Sequence, residues 1–140
     1  MQSEALRIQA TIAAFAAINA DAEHVAGAAA ATWHEIHAVL ATVIGPGGVA
    51  ALYQRALHLI CGAYPWLMIV DEDPVRAGEF AALQLVLAQQ GSAQVVAANA
   101  ALLQTFYDLL SSLIGVSLTE RLLRSVRNNP GAPAHTDPLK

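Results

Sequence analysis

Residues 8–48 read IQATIAAFAAINADAEHVAGAAAATWHEIHAVLATVIGPGG. Ile8, Ile12, Phe15, Ala22, Ala26, Ala29, Trp33, Ile36, Leu40 and Val43 follow one another in steps of four and three, with Asn19 on the same line. That spacing is a helical seam. Period-two alternation, the mark of a half-buried strand, is nearly absent from the chain. Ser3 is placed to cap the start, and Gly45-Pro46-Gly47-Gly48 to end it. The pattern admits one helix of about 40 residues, near 60 Å long. It also admits two helices parting at Asn19-Ala20-Asp21, with Asp21 as the second N-cap. The pair is preferred, because globular helices rarely run so long.

The same spacing recurs downstream. Val49, Leu52, Tyr53, Ala56, Leu57, Ile60 and Tyr64 form the buried stripe of a helix that Tyr64-Pro65 ends. Trp66–Val70 reads either as a short helix or as an apolar loop. Asp73-Pro74 reads as an N-cap followed by proline at the first helical position, opening a helix to Gln90 with Phe80, Leu83 and Leu87 inward. Gly91 closes it and Ser92 caps the next, whose seam is Val95, Asn99, Leu102, Phe106, Leu109 and Leu113. Gly115 stops that helix. Ser117-Leu118-Thr119-Glu120 reads as a capping box before a last helix carrying Leu118, Leu122, Leu123 and Val126. The expectation is an all-α fold, an antiparallel helix bundle of four principal helices with short flanking ones. It occupies residues 1–129 as one domain, with 130–140 a loose Pro- and Gly-rich tail.

A shift of 70 residues lays Val25 on Val95, Leu40 on Leu110, Ile44-Gly45 on Ile114-Gly115 and Leu52 on Leu122. Trp33 and Ile36 fall on Leu103 and Phe106. Each copy reads as a helix, an Ile-Gly stop and a second helix. Duplication gives this echo. So do the shared rules of helical hairpins in a chain with 30 alanines, which inflate any match.

At 140 residues the chain is one domain, able to bury roughly 70% of its unfolded surface without metals or disulfides. It is 56% hydrophobic and 13% charged, which excludes disorder and leaves polar surface scarce. Large exposed apolar patches mark contacts, so self-association as a homodimer is expected. The net charge of −4, with a single lysine at the last position, excludes a nucleic-acid binder driven by phosphate neutralisation. Arg121, Arg124 and Arg127 sit at a helix C-terminus, where cations are favoured. Cys61 is alone, which fits a reducing, cytoplasmic setting. Ile8–Ala20 has some features of an export signal, but Glu4 spoils a basic start and Gln9, Thr11 and Asn19 interrupt it. No membrane span is expected: Ala56–Val70 is short and contains Pro65, and Phe80–Tyr107 carries five glutamines and Asn99.

Few residues point to chemistry. His34 and His37 lie three apart, but no second ligand pair accompanies them, so neither a metal nor a cofactor is expected. Asp71-Glu72-Asp73 favours a helix N-terminus before it suggests a cation site. Gly45-Pro46-Gly47-Gly48 lacks the Lys and Ser/Thr of a phosphate-binding loop. Cys61 has no placed base. Asn19 and Asn99 fall on apolar seams, where an unpaired amide costs roughly 1–3 kcal/mol. Asn99 is read either as pairing with a polar group across a helix interface, its own symmetry mate included, or as reaching a backbone carbonyl or a buried water. Trp66, Leu67 and Met68, beside Tyr64, suit either the cap of the bundle or a docking patch.

His58 projects from the polar side of its helix beside Gln54 and Arg55. The string Arg55-Ala56-Leu57-His58-Leu59-Ile60-Cys61-Gly62-Ala63 resembles the phosphoacceptor helix of histidine phosphotransfer domains, which place an apolar residue, a lysine and a glycine two, three and four positions after the histidine. Ile60 and Gly62 match, and Cys61 stands where that family has its lysine. The resemblance covers nine residues and implies His58 as phosphoacceptor in a bacterial-type signalling protein. With no assembled nucleophile or acid–base pair, the leading expectation is a non-enzymatic interaction or adaptor module acting as a homodimer. The alternatives are a phosphotransfer protein using His58, and a small-ligand sensor with an interhelical pocket at Trp33, His37 and Tyr53.

Overall fold

The computed structural model describes residues 3–19, 21–67 and 80–126, without the side chains of Ser3, Phe15, Ile18, Asn19 and Ala81. These residues form five α-helices and no strand: α1 (Ser3–Asn19), α2 (Ala22–Ile60), α3 (Ala81–Ala88), α4 (Ser92–Ile114) and α5 (Val116–Arg124), with a 3₁₀ turn at Pro65–Leu67. The fold is all-α. The expected helix start at Asp73-Pro74, the Asp71–Asp73 run, Met68, Arg127 and the 130–140 tail lie outside the described residues.

α1 and α2 part where the sequence has Asn19-Ala20-Asp21. Asp21 is the N-cap of α2, its carboxylate accepting from the Glu23 amide at 3.0 Å and contacting His24 Nδ1 at 2.8 Å. α2 is not one rod. Gly45 sits at φ 81°, ψ 154°, a conformation open almost only to glycine, and divides it into arms 22–44 and 46–60. Pro46 then takes the first position of the second arm, where a missing N–H costs nothing.

The 70-residue echo is present in the backbone. α4 has 23 residues, as does the first arm of α2. Asp21 and Gly91 occupy matching N-caps. Gly45 and Gly115 end the two helices, the latter at φ 93°, ψ 153°. Equivalent side chains share their environment: Val25 with Val95, Trp33 with Leu103, Ile36 with Phe106 and Leu40 with Leu110 are all buried. Packing is reciprocal. The central pair is α2 on α4, and each receives the leading helix of the other copy, α3 on α2 and α1 on α4. The seams are therefore covered largely within the chain. Ile8, Ile12, Ala26, Ala29, Trp33, Ile36 and Leu40 are at most 1% exposed. α2 is long and apolar enough to cross a membrane by length and composition alone. A core helix passes the same test, and the seam of its first arm is buried on α4.

Three local expectations are corrected. Ser92 does not cap α4; it is the first helical residue, and Gly91 precedes it at the cap position without a side-chain bond. Ser117 does not open a capping box. α5 starts at Val116 directly after Gly115, Ser117 is exposed, and Glu120 reaches other elements instead. The seams also stop short of their read ends: Val43 is 47% and Leu113 61% exposed. A strict seven-residue repeat drifts about 20° per heptad on a straight helix, so its last members rotate out of the interface, and Leu110 closes the α4 seam.

Candidate functional site

Trp33 is the hub of the core. Its indole donates to Asn99 Oδ1 at 2.9 Å across the α2–α4 interface. Its ring meets Tyr53 at 5.4 Å, Phe106 at 5.1 Å and Phe80 at 6.1 Å between centroids. Asn99, 2% exposed, is thus held by a partner within the chain. The Asn19 side chain lies outside the described residues.

Phe80, just before α3, enters this cluster from the other copy. Its ring takes Tyr53 edge-on at 4.9 Å, His34 at 5.0 Å and His37 at 6.4 Å. His37 and Tyr53 come from opposite arms of α2, and the break at Gly45 lets both reach one ring. Trp33, His37 and Tyr53, singled out in the sequence, are therefore brought together. Tyr53 is 2% exposed, yet its hydroxyl has no hydrogen-bond partner, and neither has the buried His37 Nε2. Burial pushes the Tyr53 phenol well above the ordinary tyrosine range. The phenol stays neutral and offers one proton to an acceptor. His34 is exposed, as its position on the helix predicted.

A second polar cluster joins the far ends of the chain. Tyr107 Oη donates to Glu120 Oε2 at 2.6 Å, and the Glu4 amide to Glu120 Oε1 at 3.2 Å. Arg7 bonds Glu4 at 2.7 Å and donates to the carbonyls of Leu123 and Val126 at 3.1 and 3.0 Å. It thereby clasps the C-terminal turn of α5 and the residue two places beyond it. Arg124 approaches Glu4 at 3.6 Å. Desolvation first, and then the bond to Glu120, pushes the Tyr107 phenol up to about 12. Sequence reading missed this cluster, because Glu4 and Arg7 lie more than a hundred residues from their partners at and after α5 and carry no local signal.

The remaining candidates are dispersed. His58 is exposed on the second arm of α2, its carbonyl accepting from Cys61 Sγ at 3.3 Å. Trp66 is half-buried against Tyr64 at 6.1 Å, and Leu67 is buried in the core. Met68 lies outside the described residues. Among the described residues no three His, Cys, Asp or Glu side chains converge in a metal-binding group. Compared with known proteins, the chain matches no family model, no curated protein and no solved structure.

Proposed function

We propose that the protein is a non-enzymatic helical module that binds a small molecule at Trp33, His37 and Tyr53. The observation that carries this reading is the pair of unpartnered polar atoms, Tyr53 Oη and His37 Nε2, buried against one Phe80 ring. Buried polar groups are nearly always paired, and each orphan costs about 1–3 kcal/mol. Aromatic walls with a few convergent polar groups are the usual make-up of a small-molecule site. In this reading an antiparallel bundle of four principal helices, with shorter flanking ones, supplies the rigid frame. The test is thermal unfolding against a panel of small aromatic compounds. A binder raises Tm in the native chain and loses that effect in Tyr53→Phe. If every compound leaves Tm unchanged, the reading fails.

Self-association is a second reading. It is supported by large apolar side chains left in solvent, Leu85 at 66%, Leu113 at 61% and Leu6 at 55% exposed among them. Light scattering at two concentrations tests it. A homodimer gives twice the chain mass, and a monomer at both concentrations removes this reading.

A further inference from the structure

We propose that the ligand of this site carries a carboxyl group, and that it takes the place the second copy fills with its own Glu120. The inference rests on the ligand-binding reading and deepens it. The 70-residue shift carries His37 onto Tyr107 and Ala50 onto Glu120. Both pairs are thirteen residues apart and span a glycine of nearly the same backbone angles, Gly45 in one copy and Gly115 in the other. In the second copy the polar ring atom is satisfied: Tyr107 Oη donates to the Glu120 carboxylate at 2.6 Å. In the first copy the acceptor is missing. Ala50 ends at a methyl group, and His37 Nε2 has no partner. Tyr53, on the same arm as Ala50, adds a second unpartnered atom, where the second copy has the apolar Leu123.

A carboxyl group matches these two unpartnered atoms chemically. A carboxylate is an acceptor, and both the Tyr53 hydroxyl and a His37 tautomer protonated on Nε2 are donors. The Phe80 ring, which both side chains touch, gives an apolar or aromatic body something to lie against. The expected ligand is therefore a small aryl or alkyl carboxylic acid.

The experiment uses the full chain, benzoate as probe, and benzyl alcohol as a probe of similar shape without the carboxyl group. Binding is read by thermal shift and by chemical-shift changes at the His37 and Tyr53 rings. Expected is a benzoate-dependent rise in Tm, weakened at least tenfold in apparent affinity by Tyr53→Phe and by His37→Leu. Ala50→Glu and Ala50→Gln, which supply the acceptor from the chain itself, are expected to abolish benzoate binding. Benzyl alcohol binding as well as benzoate overturns the carboxyl inference and leaves the site standing. Neither probe binding, with ring signals unmoved, overturns both. Undiminished benzoate binding by a folded Ala50→Gln chain overturns the equivalence of Ala50 with Glu120.

Discussion

Replacing Gly45 or Gly115 by alanine isolates the backbone contribution of the two helix breaks. Gly45 stands at φ 81°, ψ 154° and Gly115 at φ 93°, ψ 153°, and an added Cβ meets nothing within 4 Å at either position. Packing therefore contributes nothing to the penalty. What remains is the strain of placing an L-residue in a region used almost only by glycine, about 1–3 kcal/mol. Stiffening the unfolded chain returns about 0.4–1 kcal/mol of that. Each variant is expected to lose about 1–2 kcal/mol, equivalent to roughly 3–8 °C in Tm for a domain of this size. Gly47 is the control. It lies in the helical second arm with nothing within 4 Å of an added Cβ, so Gly47→Ala is expected to stabilise by up to about 1 kcal/mol. The assay is urea unfolding followed by far-ultraviolet circular dichroism. Because the two glycines play the same part in two copies, their losses should agree within about 0.5 kcal/mol and add in the double variant. If Gly45→Ala is neutral while Gly115→Ala is costly, the equivalence of the two breaks is refuted.

Asn99→Leu strands the buried Trp33 indole N–H and is expected to cost about 1–3 kcal/mol, read by denaturant midpoint. Arg7→Met removes both bonds to the Leu123 and Val126 carbonyls and is expected to speed amide exchange across residues 120–126 before other regions respond. Absorbance at 295 nm should show Tyr107 still protonated in the folded protein at pH 11, because its phenol is pushed up to about 12. The unfolded phenol releases its proton near pH 10, so between these values the folded chain holds the extra proton and stability falls as pH rises. Tyr107→Phe should make that fall shallower and leave the part that comes from the raised Tyr53 phenol.

Much of the frame was legible in the residues because its signals are local. Asp21 announces a helix start through its own carboxylate, and an Ile-Gly stop ends a helix through the one residue type that tolerates the angle. Trp33, His37 and Tyr53 could be grouped because the stripes of two neighbouring arms point at one another. The role of Glu120 was hidden for the opposite reason. In Ser117-Leu118-Thr119-Glu120 it has the spacing of a local cap, while its partners, the Glu4 amide and the Tyr107 hydroxyl, arrive from α1 and α4. Phe80 was legible as a buried residue, but not as the ring that His37 and Tyr53 share. That depends on how α3 crosses α2, which no periodicity encodes.

The grip of Arg7 on the carbonyls of Leu123 and Val126 ties α1 to the end of α5, across 116 and 119 positions of chain. On a chain leaving the ribosome, α1 precedes α4 and α5, on which it packs, by about a hundred residues. The clasp on the α5 end forms only after residue 126 has been made. Such late closure is entropically slow and leaves an oily surface bare in the meantime. Aggregation during biosynthesis, more than loss of the finished fold, is therefore where removal of α5 should first be felt.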